Sequence, residues 1–243
     1  MIALQLQQCR SPEELPMHKP LLGAMALSAM LSFAPAWADG LHEGDILISV
    51  VNGKLKTSGG HTDTIFEGDF GDVAGGPYKT DDPGYDSDAG TFASGTVINY
   101  MALGTLKFWN GSSWSAAWVP ADVQVRIDGN LGEETFWGAS GVSGDLSGLI
   151  GEAGAGGSIH EHLDMSVVGT NKATVGAYMI SLKLSSTSTA LQASDPYHIV
   201  LNRGLDEEAF EAAVMAVPEP STYAMLLLGL AAVGYSAKRR RSR

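Results

Sequence analysis

Tyr178, Ile180, Leu182 and Leu184 stand two residues apart in GAYMISLKLSS. In an extended chain that spacing puts all four on one face, whereas a helix would scatter them around its circumference. A segment that is greasy on one side only has to be covered by another layer. The same period returns at Val123, Val125 and Ile127. Residues 46–51, Asn52-Gly53 and Lys54-Leu55-Lys56 read as a hairpin closed by a two-residue primed turn. Residues 106–118 read as a second hairpin, with Asn110-Gly111 in its middle and Trp109, Trp114 and Trp118 along it. Helical spacing is confined to residues 206–214, where Phe210, Ala213 and Val214 share one side and acids fill the first turn. With 30 glycines among 243 residues and many short strands, the expected fold is mainly β: one antiparallel β-sandwich or jelly-roll-like domain. Residues 71–90 are expected to form a long loop, and residues 141–158 a flexible connector or exposed excursion.

The two ends follow different rules. Met17 opens a second plausible start, followed by positive His18-Lys19, an apolar run over residues 21–33 and the small pair Ala36 and Ala38. This is the pattern of a secretory signal peptide, so residues 1–38 are expected to be removed by signal peptidase before Asp39. Met17 is then the expected true start; the other option is an unusually long n-region. Cys9, the only cysteine, precedes the cut, so disulfides play no part in the exported piece. Residues 39–217 carry eight Lys and Arg against 24 Asp and Glu, a net charge of −16 with neutral histidines. That excess opposes nucleic acid and anionic lipid as partners and favours cations.

At the other end, residues 221–237 form a 17-residue apolar run, at the lower limit for a bilayer-spanning helix. Lys238, Arg239, Arg240 and Arg241 follow at once and would stay on the cytoplasmic side. Ahead of the run, Val217-Pro218-Glu219-Pro220 is stiff and non-helical because each proline fixes φ and removes a donor. A short span, an Arg-rich tail and a VPEP tetrapeptide together resemble the PEP-CTERM sorting signal of Gram-negative bacteria. The resemblance implies that residues 218–243 hold the protein transiently in the inner membrane and are recognised by an exosortase. It further implies transfer or release to the cell surface or extracellular matrix.

The exported part, residues 39–217, holds one pointed motif. In GSIHEHLDM, His160, His162 and Asp164 share a face if the segment is a strand, with Cβ atoms roughly 6–7 Å apart. Two imidazoles and a carboxylate suit Zn²⁺. His61 and Asp63 repeat the i, i+2 spacing, and His42 and His198 complete the exported histidines. His198, inside an apolar strand, reads as structural. His160, His162, Gly176, Tyr178, Ser194, Asp195 and Pro196 resemble the carboxy-terminal half of the zinc-starvation (Zur-repressed) PEP-CTERM and choice-of-anchor M surface proteins. His42 and Asp45 stand where that group opens, although its usual spacing is His-x-Asp and this chain has His42-Glu43-Gly44-Asp45. The resemblance implies zinc handling at the periplasm or surface and does not imply an enzyme; His61 and His42 are additional candidate ligands.

Other chemistry is thinly represented. Asp86, Asp88 and Gly90 imitate the start of a calcium loop, but the twelfth position is Val97, so no EF-hand closes and a solvated acidic loop is expected. No HExxH, GxSxG or phosphate loop is present, and the exported part has no cysteine nucleophile. Two rival readings stay open. One is a metal-free structural or polysaccharide-contacting matrix component that uses Trp109, Trp114 and Trp118; the other, weaker, is a secreted hydrolase.

Overall fold

Asn52 and Gly53 adopt φ of 52° and 76°, the left-handed pair that a primed turn requires. They fold β1 (Ile46–Val51) back on β2 (Lys54–Ser58) with Val51 opposite Lys54, the expected hairpin. The computed structural model describes residues 44–73 and 75–218. Beyond this hairpin the chain runs through β3 (Ile65–Asp69), β4 (Lys79–Thr80), β5 (Tyr85–Asp86), β6 (Val97–Trp109) and β7 (Trp114–Ser115). It continues through β8 (Gln124–Asp128), β9 (Glu134–Gly138), β10 (Gly141–Gly144), β11 (Ser147–Glu152) and β12 (His160–Glu161). The last elements are β13 (Met165–Val168), β14 (Gly176–Ser186), β15 (Tyr197–Arg203) and α1 (Glu207–Met215).

The fold is mainly β, as expected. The strands form three sheets, in the orders β12-β5-β1-β2, β10-β9-β8-β13-β4 and β11-β6-β14-β15-β3, with β7 closing on β6 as the second hairpin. Two ladders depart from a purely antiparallel plan: β1 pairs with β5 and β15 with β3 in parallel. Parallel neighbours need a crossover rather than a tight turn. Both crossovers join segments far apart in the chain.

All three sheets contribute to one core, in which Ile46, Ile48, Val125, Ile127, Trp137, Tyr178, Ile180 and Leu182 are at most 1 % exposed. β14 shows why. Tyr178, Ile180, Leu182 and Leu184 point into this core, while Ala177 and Met179 point to the opposite face. That second face is roofed by α1 through Phe210, Ala213 and Val214. The helix starts where Asp206 caps it, its carboxylate accepting from the Ala209 amide at 2.9 Å. Trp114 fastens the same helix by donating its indole N–H to the Ala213 carbonyl at 2.9 Å. The packing continues past the helix to Val217, which is 5 % exposed and donates its amide to Val214.

Two glycine-rich stretches are corrected by the structure. Residues 141–158 are not a flexible connector: β10 pairs with β9, and β11 pairs with β6. Gly148 lies against the Tyr100 ring, where a Cβ would collide, so glycine here is a packing residue rather than a hinge. Residues 71–90 likewise contain β4 and β5, both hydrogen-bonded into sheets. Ser194 accepts from the Leu184 amide and donates to the Asp195 carbonyl, so the Ser-Asp-Pro motif shapes the chain between β14 and β15.

Candidate metal centre

β5 lies between β1 and β12, and this small junction assembles the centre. The antiparallel register sets His160 opposite Asp86, while the parallel register sets Leu47 opposite the same residue. Gly84, just ahead of β5, accepts from the Ile46 amide and donates its own amide to Asp45 Oδ1 at 2.8 Å. One oxygen of the Asp45 carboxylate is thereby fixed. The other, Oδ2, faces His162 Nε2 at 3.8 Å.

His162 is oriented by its second ring nitrogen. Nδ1 lies 3.0 Å from the Asp81 carbonyl oxygen, which can only accept, so this nitrogen donates and Nε2 is the one turned toward Asp45. Asp82 Oδ1 stands 3.5 Å from the same Nδ1. His160 follows a similar scheme: its Nδ1 faces Asp86 Oδ2 at 3.6 Å, from a carboxylate side chain only 8 % exposed. The two imidazoles meet edge to face, with centroids 5.4 Å apart. Asp45, His160 and His162 bring one donor atom each within 4.8 Å of one another. Asp81, Asp82 and His162 meet the same criterion.

Gly84 leaves room for this arrangement. A Cβ there would lie 2.5 Å from His162 Cε1 and 2.7 Å from Nε2, so the ring occupies space that only glycine leaves open. An open cleft of about 290 Å³ adjoins, lined by Asp45, Glu67, Asp69, Asp72 and Asp82. Burial raises the Asp82 carboxyl above its ordinary value, and Asp72, Asp81 and Asp45 push the same way against the opposing pull of His162. A cleft whose carboxylates disfavour one another's charge draws cations.

The remaining candidates lie elsewhere. Residues 160–164 are not one strand: β12 ends at Glu161, and β13 begins at Met165 in another sheet. The break carries Asp164 away from the shared face, and its carboxylate pairs with Lys79 at 3.5 Å. His61 joins a different group, 3.6 Å from Glu67 and 4.0 Å from Glu211. Asp63 is exposed, its backbone carbonyl accepting from the Thr57 hydroxyl. His42, Ala36, Ala38 and the segment from Glu219 to Arg243 lie outside the described residues. Among the described residues no helix is long and apolar enough to cross a membrane, and the expected span over residues 221–237 falls outside them. Asp86 of the calcium-like segment is buried and turned toward His160, whereas Asp88 is exposed. His198 donates or accepts with Ser181 at 2.9 Å, and burial, aided by Lys107, lowers its pKa to about 4. Trp109 and Trp114 stack at 5.6 Å and pack beneath α1, leaving Trp118, 49 % exposed, as the one open ring of the three.

Asp82 carries no local signal in the sequence, and Asp45 is marked there only by the resemblance. The pairing of β12 with β5 brings Asp82 to His162, and that of β5 with β1 adds Asp45.

Residues 216–241 match the PEP-CTERM protein-sorting motif. The chain carries the exosortase sorting signal. It is therefore an exported, exosortase-processed protein of the Gram-negative cell surface. No curated protein and no solved structure matches the chain.

Proposed function

We propose that this PEP-CTERM protein binds zinc at the cell envelope through Asp45, His160 and His162, in metal acquisition or sequestration. The observation that carries the reading is the convergence of two imidazoles and a carboxylate from three strand ends, with one oxygen of Asp45 and Nδ1 of His162 already engaged by the protein. Ligands held by outer hydrogen bonds, with the coordinating atom left pointing inward, are the usual construction of a zinc site. Tetrahedral zinc bonds of about 2.0–2.1 Å imply donor separations of roughly 3.3 Å, and the 3.8 Å between Asp45 and His162 needs only a small contraction. Bound zinc would supply a charge that offsets the acidic cleft. His42, in the resemblance to the Zur-repressed group, is the natural fourth ligand. Signal peptidase would remove residues 1–38, and the apolar segment after Pro220 would span the inner membrane until the exosortase acts. The reading is of a binding protein rather than an enzyme.

Purified full-length protein, dialysed against zinc and then buffer, should retain about one tightly held zinc per chain by elemental analysis. A His160→Ala/His162→Ala variant should lose it while keeping its β-sheet circular dichroism. A wild-type chain that emerges metal-free would sink the zinc reading. If that metal-free chain were retained on polysaccharide, the matrix-contact alternative would replace it.

A further inference from the structure

We infer that His61, Glu67 and Glu211 form a second, separate divalent-cation site that ties α1 to the edge strand β3. His61 precedes β3, Glu67 lies within it, and Glu211 comes from the outer face of α1. Their donor atoms lie within 4.8 Å of one another, and His61 Nδ1 stands 3.6 Å and 4.0 Å from the two carboxylates. Two ligands of one zinc ion can be separated by at most twice the bond length, about 4.2 Å, and both distances fit. The two glutamates come from different elements, and both approach the same imidazole nitrogen. Burial and the Glu211 charge raise the Glu67 carboxyl above its ordinary value, while His61 pulls it down. A doubly charged ion between the two carboxylates would offset their mutual repulsion.

The donor set names the class of ion. One imidazole with two carboxylates suits zinc or a neighbouring first-row transition metal, whereas calcium and magnesium call for more oxygen ligands. Glu67 also lines the acidic cleft that Asp45 lines, so the cluster adjoins the cleft through this one residue. Once bound, the ion links α1 to the sheet in the folded state alone and stabilises that contact by mass action.

Zinc titration of metal-stripped full-length protein tests this, with bound zinc counted and amide exchange of residues 207–215 followed by mass spectrometry. The wild type should take up a second, weaker zinc. At a free concentration about a hundredfold above that site's dissociation constant, opening of α1 should slow by about a hundredfold. Glu211→Gln changes a side chain that is 54 % exposed, so the fold should survive, which its metal-free melting temperature checks. It should weaken the second zinc about tenfold or more and abolish the slowing, with the tight zinc untouched. His61→Gln should do the same, and the His160→Ala/His162→Ala variant should keep the second zinc. Unchanged zinc uptake and unchanged α1 exchange in Glu211→Gln would overturn the inference and leave a plain ion pair. Loss of both zincs in either set of variants would overturn it as well, by showing one site rather than two.

Discussion

Gly84→Ala separates a metal centre from a merely packed histidine. The added methyl would sit 2.5 Å from His162 Cε1, where ordinary contact begins at about 3.4 Å, so the ring has to retreat by about 0.9 Å. Gly84 does not sit in the left-handed region and its amide still reaches Asp45, so the cost to the metal-free fold is confined to shifting the His162 ring from Asp81, and the roughly 0.4–1 kcal/mol that alanine gains by restricting the unfolded chain offsets part of it. A zinc site, in contrast, tolerates roughly 0.2 Å in its bond lengths. Moving Nε2 several times that far should weaken zinc by about 10- to 100-fold, equivalent to about 1.4–2.7 kcal/mol. Competition against a chromophoric chelator measures the affinity, and calorimetric melting of stripped protein measures the fold. The expected signature is a melting temperature of the stripped protein that changes little while zinc affinity falls by that factor. Affinity within twofold of wild type would refute the argument, because His162 would then not be a ligand.

Three other outcomes follow from the structure. His198 has a folded pKa of about 4 against an ordinary 6.5, so the unfolded chain binds the extra proton between those values and stability falls as pH drops through that window. His198→Gln should flatten this part of the stability–pH curve in denaturant titrations; an unaltered slope would place the effect on other groups. Removing the Asp206 cap with alanine should cost about 1 kcal/mol in urea unfolding, and no loss would mean that the Ala209 amide finds another acceptor. Replacing Pro218 and Pro220 by alanine should leave the uncut precursor in the membrane fraction on immunoblots. Normal processing would show that the exosortase does not depend on the prolines.

Local features were legible in the sequence because their causes are local. The Asn52-Gly53 turn, the hairpin around Asn110-Gly111 and the helix with Asp206 at its head each depend on residues a few positions apart. The His160/His162 pair was visible in the same way. What escaped was decided by distant pairing. Gly148 reads as a flexible residue until the Tyr100 ring fills the space beside it, and Tyr85-Asp86 reads as loop until β1 pairs with it. Asp164 fits a five-residue strand on paper, but the sheet boundary after Glu161 breaks that strand and leaves the aspartate with Lys79. Asp45 becomes a partner of His162 only through the parallel register of β1 and β5. Periodicity states which side chains share a face; it does not state which segments become neighbours.

Val217 is a core residue, and the Pro-Glu-Pro tripeptide begins at the very next position. Among the described residues, packed structure runs up to the first proline of that tripeptide. An enzyme that reads this tripeptide would meet it directly beside the packed end of α1, so loosening of that end would lengthen the free chain ahead of Pro218.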